Sequence, residues 1–203
     1  AVLASRRIMR DMRSHGYEPR SPQVRALLAA GHHGQNAHFI AGIGSGKGTI
    51  AKFLPKVTGE KVIVVTTTTS LNVSVGADSV GLSFLRLGFL RSGVQNESLL
   101  QAFQHGDINM LVVLPEYFGD PTVVSVWKNM IKAKSLGAVF FDECDEAVKN
   151  KSWRPCFDFA CRELSGFSIP KVQLFCICYI DEKMGTLQER FTAHNARGSS
   201  EIC

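Results

Sequence analysis

Short runs of apolar residues recur along the chain and are separated by segments with helical patterns. Runs such as Val62–Val65 and Leu111–Leu114 are continuously apolar, which is typical of strands in a sheet that helices cover on both faces. The runs predict strands near Ala37–Ala41, Lys61–Thr66, Ser83–Leu87, Met110–Leu114, Ala138–Asp142 and Val172–Ile177.

The segments between these runs predict helices. Because strands and helices alternate, we expect an α/β fold: a mostly parallel sheet with crossover helices on both faces. Trp127 falls within a predicted helix and is interpreted as a core residue. The predicted helices lie near Ser5–Arg13, Pro22–Ala30, Lys47–Leu54, Ser98–His105, Thr122–Lys132, Cys156–Leu164 and Glu182–His194.

Length and composition limit the possibilities. The 203 residues suffice for one globular domain, or for a domain with an arm. A net charge of +5 permits nucleic-acid binding without demonstrating it. No apolar run is long enough for a membrane span, so we expect no membrane partner. The six cysteines lack the spacing of a metal site and are interpreted as buried free thiols, which favours a reducing intracellular compartment, nuclear in a eukaryote.

Residues 41–49 read AGIGSGKGT and follow an apolar run. A strand, a glycine-rich loop and a helix beginning at a lysine would point backbone N–H groups at phosphate oxygens. The lysine would reach the β and γ phosphates. The alternative is a glycine-rich turn that binds nothing. The sequence therefore predicts a nucleoside triphosphate site, a P-loop, formed by Gly44, Ser45, Gly46, Lys47, Gly48 and Thr49.

Residues 137–145 read GAVFFDECD, an apolar run that ends in a group of acidic residues. Acidic residues at the carboxyl end of a parallel strand would lie at the same sheet edge as the P-loop. Asp142 could then hold Mg²⁺, with Thr49 as a second ligand, and Glu143 could orient and deprotonate a water molecule. A solvated acidic turn is the alternative.

The run GSGKGT resembles the P-loop of the adenylate kinase family. In that family the loop lies almost at the N-terminus, whereas about forty residues precede it here, and the chain has no counterpart of the DG[FY]PR segment. A nucleoside monophosphate kinase is therefore the least favoured of the functions considered.

Several segments together resemble superfamily 2 helicases, and within them the RecQ-like DNA helicases, over roughly residues 15–190. Arg20 and Gln23 occupy the R-x-x-Q positions of the family's motif 0, and a Gln amide suits the adenine edge. The matching segments, in chain order, are Tyr17–Gln23, the P-loop with Phe53–Pro55, Val62–Leu71, Leu111–Glu116, and DECD with Trp153–Pro155.

The resemblance implies the first RecA-like domain of a two-domain motor, with residues 1–15 as an arm, 16–195 as the domain and 196–203 as a frayed tail. It implies ATP and Mg²⁺ at Lys47, Thr49, Asp142 and Glu143, with Arg20 and Gln23 at the base. It also implies a second RecA-like domain as a partner and single-stranded or partly duplex DNA at the carboxyl edge of the sheet. The residues implied to contact DNA are Thr67, Thr68, Ser70, Pro115, Glu116, Trp153 and Arg154.

The chain departs from the family at four places. Gly48 replaces the hydroxyl residue that holds Mg²⁺, Asp145 replaces a histidine, the aromatic-rich loop is reduced to AVKNKSW, and Ile177–Ile180 replaces the motif LTAT. The arginine supplied by the second domain, worth roughly 10³–10⁵ in rate, is also missing. Two functions stay open: a helicase ATP-binding domain with slow turnover and no unwinding on its own, or a degenerate pseudo-helicase that binds nucleotide or nucleic acid.

Overall fold

The computed structural model describes residues 2–40, 45–66, 81–90, 96–142, 171–175 and 200–202. Their strands form one sheet in which every recorded pair of neighbours is parallel. The strands are β1 Ala37–Ile40, β2 Lys61–Val65, β3 Leu87–Phe89, β4 Met110–Val113, β5 Leu136–Phe141, β6 Lys171–Phe175 and β7 Ser200–Ile202. Their order across the sheet is β3-β4-β2-β5-β6-β1-β7. The predicted α/β fold with a mostly parallel sheet is confirmed.

Helices cover both faces of this sheet. In the described part of the chain they are α1 Val2–Ser14, α2 Ser21–Leu27, α3 Lys47–Thr58, α4 Glu97–His105 and α5 Pro121–Lys132. A π-helical turn, Leu28–His32, continues α2, and a 3₁₀ turn, Pro115–Gly119, follows β4. Within these ranges no helix is long and apolar enough to cross a membrane.

Each sheet face has its own hydrophobic core, because successive residues of a strand point to opposite faces. In β2, Val62 and Val64 pack with α1, α2 and α3, whereas Ile63 and Val65 pack with α4 and α5. Trp127 of α5 is fully buried against Phe118, with ring centroids 4.4 Å apart, which confirms its core position.

The third strand begins later than the sequence predicts. It spans Leu87–Phe89, whereas the apolar pattern places it at Ser83–Leu87. The side chain of Asn109 explains the difference: its amide nitrogen donates to the carbonyl oxygen of Phe84 (2.7 Å), and its oxygen accepts from the backbone N–H of Arg86 (2.8 Å). The side chain of Asn109 therefore takes the place of a partner strand at Phe84 and at the Arg86 N–H, and strand pairing begins at Leu87.

Two further segments differ from prediction. Helix α3 was expected to end before Pro55, which has no N–H to donate, yet it continues to Thr58 and ends at Gly59 with φ 72°. A frayed tail was expected at the C-terminus, but Ser200–Ile202 pairs in parallel with β1. The predicted helices Cys156–Leu164 and Glu182–His194 lie outside the described residues, and the domain boundaries stay predictions.

Candidate functional site

The P-loop lies between β1 and α3, as predicted. Helix α3 begins at Lys47, and Gly46 precedes it in the left-handed conformation, with φ 80° and ψ 31°. Ser45 and Gly46 bring the chain to the first turn of α3, while Gly44 lies outside the described residues. The carboxyl end of a parallel strand therefore meets a helix N-terminus, the arrangement that binds phosphate.

Gln23 of α2 is held directly against this loop. Its side-chain nitrogen donates to the carbonyl oxygen of Gly46 at 3.0 Å and is 3.4 Å from that of Ser45. Its side-chain oxygen accepts from the backbone N–H of Arg20 at 3.0 Å, and only 3% of the residue is exposed. Two segments more than twenty positions apart are thus joined, with α2 fixing the backbone that precedes Lys47.

Most of the hydrogen-bonding capacity of the Gln23 amide is already used. An amide nitrogen has two N–H donors, and this nitrogen lies 3.0 Å and 3.4 Å from two carbonyl oxygens of the loop. The amide oxygen has two lone pairs, of which Arg20 occupies one. The remaining lone pair could contact only a donor group of a ligand, such as the exocyclic amine of adenine.

Gly46 is the residue type that this geometry requires. A Cβ at this position would collide with the Gln23 amide nitrogen, and the positive φ adds strain for any side chain. The hydroxyl of Thr49 lies 3.6 Å from where that Cβ would be, so Thr49 is on the Gln23 side of the loop. Gly48 differs, because its Cβ would meet nothing within 4 Å.

The first turn of α3 has the electrostatics of an anion site. It contains Lys47 and no acidic residue, and no side chain caps its N-terminus. The hydroxyl oxygen of Ser45 is buried and has no hydrogen-bond partner among the described residues. A buried donor without a partner lowers the stability of the fold, whereas a phosphate oxygen at this point would accept its hydrogen bond.

Asp142 lies at the same edge of the sheet. It directly follows β5, and its backbone N–H donates to the carbonyl oxygen of Val65 at 2.9 Å. Strand β6 separates β5 from β1, so the strand carrying Asp142 is two strand spacings, roughly 10 Å, from the one that leads into the P-loop. Asp142 is partly exposed, and Glu143 lies outside the described residues.

The residues at this edge fit a magnesium ion in part. Mg²⁺ prefers oxygen ligands, keeps several waters and is held by one or two carboxylates together with substrate phosphates. Asp142 supplies such a carboxylate. Since α3 begins at Lys47, Thr49 lies about 100° around the helix from position 48, where the usual hydroxyl ligand would be. In the described ranges there is no group of three or more metal-binding side chains.

The predicted nucleic-acid contacts are only partly within the described residues. Pro115 and Glu116 open the 3₁₀ turn after β4, with Pro115 buried and Glu116 exposed at the carboxyl edge. Burial raises the pKa of the adjacent Tyr117; the side chain of Asn96 opposes this shift, and the charges of Glu116 and Asp120 reinforce it. The other predicted contacts lie outside the described residues: Thr67, Thr68, Ser70, Trp153 and Arg154.

Solved structures with a similar fold were found. The Hef helicase domain of Pyrococcus furiosus matches 95% of this chain with a TM-score of 0.61 and 18% identity. A hypothetical ATP-dependent RNA helicase from Sulfolobus tokodaii matches the whole chain with a TM-score of 0.63 and 18% identity. The chain therefore has the fold of these domains, an α/β RecA-like fold with a mostly parallel sheet.

The similarity covers only part of each neighbour. This RecA-like chain spans 38% of the Hef helicase domain and 57% of the Sulfolobus protein. No protein-family model matches the sequence, and no curated protein matches it significantly. At 18% identity the likeness establishes the fold, so the chemistry has to be argued from the residues at the edge of the sheet.

Arg20 and Gln23 were predicted at the nucleotide base, and the contact of Gln23 with the loop itself was not predicted. One signal was present: Gln23 is the third residue of α2, and a Gln at this position commonly reaches back to the backbone N–H that precedes the helix. The hydrogen bonds to Ser45 and Gly46 depend on how α2 packs against α3, which no local pattern predicts.

Proposed function

We propose that this chain is the ATP-binding RecA-like domain of a superfamily 2 nucleic-acid helicase. The observation that carries the proposal is the contact between Gln23 and Gly46, which fixes the loop immediately before Lys47. The left-handed Gly46, the lysine at the start of α3 and a Ser45 hydroxyl without a partner among the described residues support a phosphate site here.

The nucleotide would bind with its phosphates at the first turn of α3. Lys47 and the backbone N–H groups would contact the β and γ phosphates. The remaining lone pair of the Gln23 amide would accept from the amino group of adenine, which favours ATP over GTP because guanine presents a carbonyl oxygen at that position. When bound, Mg²⁺ would neutralise phosphate charge, with Asp142 as its protein ligand.

Hydrolysis would depend on a residue beyond the described part of the chain and on a second domain. We propose Glu143 as the residue that orients and deprotonates the attacking water. The arginine that completes such sites comes from a second RecA-like domain, and without it the rate falls roughly 10³–10⁵-fold. We therefore expect ATP binding with slow turnover and no unwinding by these 203 residues alone.

The proposed nucleic acid is single-stranded or partly duplex DNA, as in the RecQ-like helicases whose motifs the sequence resembles. It would cross the carboxyl edge of the sheet near Pro115 and Glu116, together with residues of the Thr67–Ser70 segment and Trp153–Arg154. An intracellular location, nuclear in a eukaryote, is part of the same proposal. One of the structural neighbours is described as an RNA helicase, so RNA is the comparison ligand in any binding assay.

A degenerate pseudo-helicase is the second candidate, and Gly48 is the observation that favours it. The position that normally supplies a hydroxyl for Mg²⁺ carries no side chain, and the exposed glycine is not required by packing. Such a protein would bind nucleotide or nucleic acid without hydrolysing ATP even when a second domain is supplied.

Titration of ATP by calorimetry, with and without Mg²⁺, tests the proposal. We expect Lys47→Ala to weaken ATP binding at least about tenfold, because a charge-assisted phosphate contact is worth roughly 1.5–3 kcal/mol. Lys132→Ala, an exposed lysine at the end of α5, is the matched control and should leave the affinity unchanged. Equal ATP affinities for wild type and Lys47→Ala would contradict the proposal that this loop binds the nucleotide.

A further inference from the structure

Helix α1 carries four arginines, and all four are exposed. They are Arg6, Arg7, Arg10 and Arg13, whereas Asp11 is the one acidic residue of this helix. Arg13 forms an ion pair with Glu18 at 3.2 Å, with both side chains more than half exposed. The other three have no ion pair with any described residue. The outer surface of α1 therefore keeps a positive charge that no described residue neutralises.

The helical period places these charges in a row. At 100° per residue, Arg6, Arg10 and Arg13 fall within about 60° of one another, opposite the buried Ile8 and Met12. At 1.5 Å per residue the row is about 10 Å long. One strand of a duplex carries a phosphate per 3.4 Å of axis, so the row matches about three consecutive phosphates.

A cleft beside α1 extends this basic surface. It has a volume of about 660 Å³ and separates α1 from the C-terminal end of α3. Arg7, His32 and Lys56 contribute basic side chains to its walls, and Asp11 is the acidic one. Because Thr58 and Gly59 also line the cleft, it lies at the opposite end of α3 from Lys47, roughly 18 Å away along the helix.

We propose that the arginine surface of α1 (Arg6, Arg7, Arg10 and Arg13) binds the phosphate backbone of a nucleic acid outside the carboxyl edge of the sheet. The inference rests on the proposed nucleic-acid function and adds a second contact to it. Guanidinium groups match phosphate in charge and in bidentate geometry. Backbone contacts of this kind hold a nucleic acid without reading its sequence.

An anionic membrane is disfavoured as the partner by what α1 buries. Helices that bind membranes insert their apolar face into the lipid. The apolar face of α1 is instead packed against the protein: Ile8 is 5% exposed and Met12 is fully buried in the core with α2 and α3. The exposed apolar side chains of α1, Val2 and Leu3, are confined to its first turn.

The test compares two triple variants that remove the same charge from opposite faces of the sheet. The α1 variant carries Arg6→Gln, Arg7→Gln and Arg10→Gln. The α5 variant carries Lys128→Gln, Lys132→Gln and Lys134→Gln on the exposed surface at α5. Binding of a labelled single strand of about 20 nucleotides, and of its duplex, is measured against salt concentration. For the α1 variant we expect the slope of log K against log salt to flatten by about 2 for the single strand and almost 3 for the duplex. The α5 variant should bind as wild type does.

Three outcomes would overturn the inference: an unchanged slope in the α1 variant, an equal change in both variants, or binding by α1 to phosphatidylserine vesicles in preference to nucleic acid. The triple Arg→Lys variant of α1 keeps the charge and should keep the slope. If the triple Gln variant unfolds, Arg6→Gln and Arg10→Gln alone should each flatten the duplex slope by about 0.9. ATP affinity, measured on the same variants, should not change. The ATP measurement therefore distinguishes a wrong inference about the arginine surface of α1 from a wrong proposal about the nucleotide site.

Discussion

The side-chain amide nitrogen of Gln23 lies 3.0 Å from the carbonyl oxygen of Gly46 and donates a hydrogen bond to it. This bond connects the first turn of α2 to the residue that caps α3. Because Gly46 is immediately before Lys47, the position of the lysine depends on the packing of α2 against α3. A change at either partner should therefore affect nucleotide binding and fold stability together.

Gly46→Ala should weaken nucleotide binding at least about tenfold and lower the free energy of unfolding by about 1–2 kcal/mol. The left-handed backbone accounts for a loss of this size. The collision of the new methyl group with the Gln23 amide would add to it. Calorimetric titration of ATP and urea denaturation measure the two effects.

Gly48→Ala is the matched control, two residues further along the same loop and helix. A Cβ there meets nothing within 4 Å, and alanine is favoured over glycine in a helix by about 0.5–1 kcal/mol. We expect this variant to be slightly more stable than wild type, with unchanged ATP affinity. If both alanine variants behaved alike, the geometry at Gly46 would not be what positions the loop.

Gln23→Glu should destabilise the protein by about 1–3 kcal/mol at neutral pH. A carboxylate has no N–H to donate, so the carbonyl oxygens of Ser45 and Gly46 would face a buried negative charge. Burial and these carbonyls would raise the pKa of the new carboxyl above that of the unfolded chain. Stability relative to wild type should therefore recover as the pH falls and decline as it rises through that pKa.

Urea denaturation at several pH values measures this effect. Gln23→Met, of similar size and without charge, is the control, and its stability relative to wild type should not vary with pH. A pH-independent difference for Gln23→Glu would contradict the buried position of the amide.

Local patterns predicted β2, β4 and β5 well because these strands are buried on both faces. A continuous apolar run such as Val62–Val65 is distinctive, and the strand begins one residue before it. The start of β3 was misplaced because the side chain of Asn109, more than twenty residues away, bonds the carbonyl oxygen of Phe84 and the N–H of Arg86, so strand pairing begins only at Leu87. The end of α3 was misplaced because tertiary packing outweighed the bond that Pro55 removes.

The candidate site was predictable where its residues are adjacent in sequence. The loop before α3 and the acid after β5 follow from glycine, lysine and aspartate at the ends of apolar runs. The role of Gln23 as a support for the loop was not predictable, since it depends on two helices meeting in space. Glu143 and the predicted contacts Trp153 and Arg154 lie outside the described residues, and their roles stay predictions.

Trp127→Ala should lower the free energy of unfolding by about 3–5 kcal/mol, because the indole is fully buried and packs on Phe118. Trp127→Phe should lower the free energy of unfolding by less, since it keeps a ring at this contact and removes an indole N–H that has no partner among the described residues. Lys132→Ala, exposed on the same helix, should stay within about 0.5 kcal/mol of wild type. Losses within about 0.5 kcal/mol for both Trp127 variants, measured by urea denaturation, would place the indole outside the core.

Gly48→Thr should make ATP binding depend on Mg²⁺. The hydroxyl would stand directly after Lys47, where P-loop proteins bind the ion, and nothing lies within 4 Å of the new Cβ. We expect ATP to bind the variant at least about fivefold more tightly with Mg²⁺ than with EDTA, and wild type to show a smaller ratio, because Asp142 would be the ion's protein ligand there. Gly48→Val has the same shape without the hydroxyl and should behave as wild type. If ATP binding by Gly48→Val gained the same dependence on Mg²⁺, or that by Gly48→Thr gained none, the missing hydroxyl would not determine whether this loop binds the ion.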